Sequence, residues 1–269
     1  MKIFDSFHLT FNTKVRSLQL FNHILFVIGL IYASIHSQLD LLWASFIIYM
    51  FTAILGIACG MHRLLSHKSY KTSKFWEYFL SICSIYATVG STIAWVGLHR
   101  LHHVTAEKTN DPHSPYVGRG TGETLKFSYW QAFKSWVGIW SVDHISPRYV
   151  VDLIHNPFHA FIHRHYFKII ILSCVILAMI NPWLVLFVYI IPACLSLHAT
   201  SVISVIAHIH GYKTHKINDE SRNSWISSIV TFGDGWHNNH HARPGNYTTQ
   251  ERWWELDPCG WFIYCIKKD

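Results

Sequence analysis

Four long apolar stretches, at about 18–35, 39–59, 167–183 and 184–205, decide most of what this chain can become. A bilayer-spanning helix needs about 20 apolar residues, with about 17 tolerated. Each stretch is long enough, the third only with its flanking aromatics counted. The first two are separated by Ser37 and Gln38, the last two meet at Asn181, Pro182 and Trp183, and Asn and Pro there permit a tight reversal. The predicted architecture is an all-α integral membrane protein, with four transmembrane helices in two hairpins. The remaining parts, about 60–166 and 206–269, are expected to form a helical cap within a single domain over 1–269. Composition agrees. Hydrophobic residues make up 51% and charged residues 14%, where an ordinary soluble domain carries about 25% charged.

Charge then orients the hairpins. Basic residues sit at the N-terminus (Lys2, Lys14, Arg16), after the second stretch (Arg63, Lys68, Lys71, Lys74) and in the C-terminal part (Lys213, Lys216, Arg222, Arg243, Arg252, Lys267, Lys268), with none in the two short turns. The positive-inside rule places both termini and the cap on the cytoplasmic side. A net charge of +7 without a nucleic-acid module suits lipid headgroups, and an acidic redox partner could share that surface. The six Cys form no CxxC pair, so neither a disulfide framework nor a zinc ribbon is expected. No removable signal peptide is evident in the polar, basic start of the chain.

The chemistry lies in the histidines, of which there are 21. Three clusters stand out: His62 with His67 (HxxxxH), His99 with His102 and His103 (HxxHH), and His237 with His240 and His241 (HxxHH). Residues at i and i+4 share a helix face. His99 with His103, and His237 with His241, therefore aim at one point each, while His102 and His240 can serve a neighbouring metal. His62 and His67, at i and i+5, are about 140° apart on an ideal helix and are expected to flank a site rather than chelate one ion. An all-imidazole shell suits iron, zinc, copper or nickel and argues against magnesium or calcium. One structural zinc takes four ligands, so this many histidines imply two metals. The clusters must converge. A fifth apolar stretch, 75–98, lies between the first two and so cannot cross the bilayer.

The words around the clusters, GMHRLLSHKSY at 60–70, WVGLHRLHH at 95–103, DPHSP at 111–115 and GDGWHNNHH at 233–241, resemble the integral-membrane fatty acid desaturases, and within them the delta-9 branch. The resemblance covers roughly residues 20–265. It implies a ninth histidine ligand, carried onto His208 in SVIAHIHG at 204–211, with His210 beside it as the rival. The family's Asn, which holds a metal-bound water, is replaced here by Ser204, and Asp234 stands where Glu is usual. Trp95 and Thr200 match positions that bend the acyl chain in the animal members. Read alone, those two are more often an interfacial aromatic and a helix-packing hydroxyl.

The resemblance implies O₂-dependent insertion of a cis double bond into a saturated acyl chain. The cofactor is two Fe²⁺ ions, and the substrate an acyl-lipid or acyl-CoA. An unactivated methylene has no acidic proton, so side-chain acids and bases cannot attack it, and such chemistry belongs to a cofactor. The length leaves no room for a fused electron carrier, so a separate ferredoxin or cytochrome b5 type donor is expected. A hydroxylase or ketolase with the same histidine boxes is the near alternative. A metal transporter is remote, because its ionisable residues would line a mid-membrane path.

Overall fold

A computed structural model of the protein describes residues 2–108, 111–117, 124–138 and 145–268, with the side chains of 2–10 outside that description. Parts of the expected cap, 109–110, 118–123 and 139–144, therefore lie outside the described residues.

Four helices are long and apolar enough to cross a membrane. The first, α1, runs Lys2–Ile35, its apolar part being Phe11–Ile35. The others are α2 (Leu42–Ser66), α7 (Pro157–Ile180) and α8 (Pro182–Ile209). Each outruns the apolar stretch in the sequence. α2 carries His62 in its last turns, and His67 is the residue that caps its C-terminal end. α7 begins ten residues before 167, since Asn156 caps it through the Phe158 N–H and Pro157 fills the first turn, where a missing N–H costs nothing. His159 and His163 are buried on its inner face. Trp183 belongs to α8, because Asn181 ends α7 and its side chain caps α8 through the Trp183 N–H.

Large apolar side chains are exposed along these helices, among them Ile24, Ile28 and Ile31 on α1 and Ile171, Val175 and Met179 on α7. Water would penalise such bands and lipid does not. The chain is a membrane protein.

The fifth apolar stretch is broken in two. Helix α3 (Lys74–Ile85) packs on α2, and α4 (Thr92–Thr105) returns from the turn. Gly56 permits the first contact, since a Cβ there would lie 2.6 Å from the Ser84 backbone N. Thr88 (φ 58°) and Gly90 (φ 120°) reverse the chain in left-handed conformations. A reversal among apolar helices leaves backbone groups that must be satisfied by protein. Gln19 Nε2 donates to the Thr88 carbonyl at 3.1 Å, and the Tyr166 hydroxyl accepts from the Gly90 N–H at 3.3 Å. These contacts explain polar residues buried on apolar helices. Ser91 then caps α4 through the Ala94 N–H.

Between α4 and α7 the described residues also form a two-stranded pair, β1 (Tyr116–Val117) with β2 (Lys126–Phe127), α5 (Tyr129–Trp136) and the short α6 (Val151–Ile154). After α8 come α9 (Trp225–Thr231), α10 (His237–Ala242) and α11 (Pro258–Ile266). Cys259 and Ile263 of α11 pack with Cys59 and Leu80, closing the C-terminal part onto α2 and α3.

Candidate metal centre

The histidines of α2, α4, α8 and α10 converge on two neighbouring points. His62, His67, His99, His103 and His240 form one set and His102, His208, His237 and His241 the other, with one ring nitrogen of each residue within 4.8 Å of the rest of its set. The i, i+4 pairs of α4 and α10 each stay together, and the middle histidines, His102 and His240, cross to the opposite set. His210 is exposed and joins neither.

The first cluster departs from expectation. His62 and His67 lie in the same set with ring centroids 5.0 Å apart. Over Phe51–Ser66 helix α2 is π-wound, and the His67 N–H donates to the His62 carbonyl at 3.2 Å. An i→i+5 hydrogen bond brings residue i+5 over residue i. The ideal-helix separation of about 140° does not apply to this winding.

Five ring nitrogens of the first set form a chain of close contacts. His62 Nε2 is 3.0 Å from His240 Nε2, which is 3.2 Å from His103 Nε2; His99 Nε2 is 3.1 Å from His103 Nε2 and 2.8 Å from His67 Nε2. His62 Nδ1 faces the Asp234 carboxylate at 3.0 Å; a carboxylate can only accept, which favours the tautomer with the proton on Nδ1 and the lone pair on Nε2. In the second set, His102 Nε2 and His241 Nε2 are buried with no hydrogen-bond partner among the described residues, while their Nδ1 atoms face Asp111 and Asp219, each at 2.9 Å. An unsatisfied buried acceptor costs about 1–3 kcal/mol. Lone pairs gathered and held this way fit a soft-to-borderline divalent metal, and the all-nitrogen donor set suits iron, zinc, copper or nickel.

Carboxylates behind the rings were not read from sequence. Asp234 serves His62, Asp111 serves His102, Asp219 serves His241, and Glu107 lies 3.4 Å from His208 Nδ1. Such partners fix the ring tautomer and raise ligand basicity. Asp111 lies in the DPHSP word near His102, and Asp234 lies in the GDGWHNNHH word though far from His62 in the chain; Asp219 and Glu107 fall in none of the quoted words. Arg63, one of the basic residues counted after the second apolar stretch, is buried, with Asp234 at 2.6 Å and Asp257 at 2.8 Å. The two Asn of HNNHH are anchors. Asn223 Oδ1 accepts from the Asn238 and Asn239 N–H groups at 3.0 and 3.1 Å, seating the start of α10.

Burial, and then mutual repulsion, hold His99, His103, His237 and His240 well below the usual imidazole range. His241 is pushed down to about 4, mainly by burial, with Asp219 offsetting part of it. Although burial pushes Asp234 up, His62 and Arg63 together bring it below the usual carboxylate range. These histidines are neutral at pH 7, as ligands must be.

A pH prediction follows with a definite sign. An unfolded chain titrates His241 near 6.5, while the folded site resists protonation down to about 4. Between those values the unfolded state binds more protons, so stability falls as pH falls. The metal-free protein should therefore melt at a lower temperature at about pH 5 than at about pH 7.5. Equal melting temperatures would contradict the burial of neutral imidazoles.

A narrow cavity of about 50 Å³ adjoins both sets, lined among others by Trp95, His99, Leu197, Thr200, Ser204 and His208. Trp95 stacks on His99 at 4.9 Å. The Thr200 and Ser204 hydroxyls donate to the carbonyls of Ser196 and Thr200, at 3.0 and 3.2 Å. Their lone pairs remain as acceptors. His113, missed as a site residue, also lines the cavity, with its ring 4.3 Å from that of His102 and its buried Nδ1 unpartnered among the described residues.

A profile of the fatty acid desaturase family matches residues 41–260. The sn-1 stearoyl-lipid 9-desaturase of Anabaena variabilis is 33% identical over 244 residues, covering 86% of this chain and 82% of its own length. The sn-2 palmitoyl-lipid 9-desaturase of Nostoc sp. (strain 36) is 33% identical, with coverage of 82% and 76%. Delta-9 acyl-lipid desaturase 2 of Arabidopsis thaliana is 34% identical, with coverage of 82% and 70%.

Proposed function

This chain belongs to the fatty acid desaturase family, and from that premise we propose that it inserts a cis double bond at the delta-9 position of a saturated acyl chain carried by a membrane glycerolipid. It is an oxidoreductase acting on fatty acyl chains. The observation that carries the oxidative chemistry is the convergence of nine imidazoles into two sets beside one mostly apolar cavity, and the names of the similar acyl-lipid 9-desaturases support the delta-9 position and the glycerolipid carrier. We assign His62, His67, His99, His103 and His240 to one iron, and His102, His208, His237 and His241 to the other.

With O₂, bound iron would supply the oxidising power needed to remove hydrogen from an unactivated methylene. The protein's share is placement. Trp95, stacked flat on His99, forms a rigid wall where the chain passes the metal sets. Ile57, Leu98 and Leu197 line the same cavity and exclude water. Thr200 and Ser204 offer hydroxyl oxygens on the opposite helix, and Ser204 is placed to accept a hydrogen bond from a water in the cavity. Holding one carbon pair against the metals sets the bond position by geometry, since neighbouring methylenes are chemically alike. The bilayer, the cytoplasmic placement of both termini and of the metal sets, and a separate acidic electron donor of ferredoxin or cytochrome b5 type complete this reading. Its support is the clustering of basic residues outside the two short turns.

The test is gas chromatography–mass spectrometry of fatty acids from a host expressing the chain, beside its His237→Ala variant. A monounsaturated acid with its double bond at carbon 9, absent from the variant, is the expected result. A hydroxylated acid in its place would overturn desaturation in favour of oxygen insertion.

A further inference from the structure

The two histidine sets differ in what stands behind them among the described residues. In the first, one ring of five meets a carboxylate: His62, with Asp234 at 3.0 Å. That carboxylate is also held by Arg63, through Nε at 3.1 Å and a terminal nitrogen at 2.6 Å. In the second, three rings of four meet a carboxylate: His102 with Asp111 at 2.9 Å, His241 with Asp219 at 2.9 Å, and His208 with Glu107 at 3.4 Å. A carboxylate accepting the Nδ1 proton makes Nε2 a stronger donor. Nearby negative charge also lowers the energy of the more positive of two metal charge states.

We propose that the two metals are unequal, and that Asp111, Asp219 and Glu107 are positioning residues that make the second set the seat of the iron oxidised first. This rests on the reading that one iron occupies each set. One electron leaves the iron held by His102, His208, His237 and His241, which passes from 2+ to 3+. Its acceptor is O₂ in the reaction, or a one-electron oxidant such as ferricyanide in a test. The iron of the first set, backed by an ion-paired carboxylate, keeps its electron longer. The asymmetry has a functional direction. Three of the four rings of the second set line the cavity, against two of five in the first. The readily oxidised metal thus lies on the side where the acyl chain is held.

The experiment uses full-length protein in detergent, loaded with ⁵⁷Fe, fully reduced, and then given one equivalent of ferricyanide per chain. Mössbauer spectra should show a single ferric component that holds all the oxidised iron. In Asp219→Asn the ferric iron should divide between two components. In Asp219→Glu, which keeps the charge, the single component should return, an outcome that a purely structural role would not produce. Where Asp219→Asn fails to retain both irons, Asp111→Asn is read in the same way. Equal oxidation of both irons in the wild type overturns the inference and leaves the metal assignment standing. A wild-type protein that binds fewer than two irons overturns both.

Discussion

Replacing His103 with alanine should abolish double-bond formation and lower bound metal by one ion per chain. His103 sits in the middle of the first set. Its Nε2 lies 3.1 Å from that of His99 and 3.2 Å from that of His240, so it joins the rings of α4 to the ring from α10. Alanine removes that nitrogen and leaves no donor to replace it. The fold should survive, because α4 is held by the buried Ile93, Ala94, Val96 and Leu98, not by His103. Fatty acid analysis and metal analysis of purified protein read the two effects separately. His36→Ala is the control: His36 is exposed just after α1, and its loss should change neither. Wild-type metal content and product in His103→Ala would remove His103 from the assignment.

The grouping of rings shows which parts of the site were legible. The spacing of HxxHH was enough to pair His99 with His103 and His237 with His241, because an ordinary α-helix brings i and i+4 to one face. The same rule failed for His62 and His67. Nothing in the GMHRLLSHKSY word announces π winding, which runs over Phe51–Ser66, the stretch where Gly56 and Gly60 let α2 lie close to α3. The membrane helices were legible by hydropathy, but their ends were not. Capping by Asn156 and burial of His159 and His163 extend α7 through a segment that looks polar in sequence. The carboxylates were hidden for a different reason. Asp234 is 172 residues from His62, and Glu107 is 101 from His208, so only the folded chain brings them together. Gln19 likewise has no meaning in sequence until the turn at Thr88 needs a donor.

Arg63→Met should be the most destabilising single change outside the histidines. Arg63 is 1% exposed. Its guanidinium bonds Asp234 at 2.6 Å, Asp257 at 2.8 and 3.0 Å, and the Tyr247 carbonyl at 2.9 Å. Methionine fills much of the volume but removes the cation that two buried carboxylates share. Asp257 cannot escape by turning outward, since it also accepts from the Thr249 N–H at 2.8 Å and the Gly260 N–H at 2.9 Å. Breaking a buried pair in this way costs about 3–5 kcal/mol. At the usual scaling for a chain of this size, that lowers the melting temperature by roughly 10 °C. Arg63→Lys should recover part of the loss, because an ammonium keeps the charge but cannot bond two carboxylates through a planar fork. The damage should also reach the metal centre, since Asp234 is the group that orients His62. The melting temperature of metal-free protein separates the structural loss from the metal loss. An Arg63→Met protein that melts with the wild type would show that the cluster contributes nothing net. A variant that melts low when metal-free yet binds metal normally would show that Asp234 holds His62 without help from Arg63.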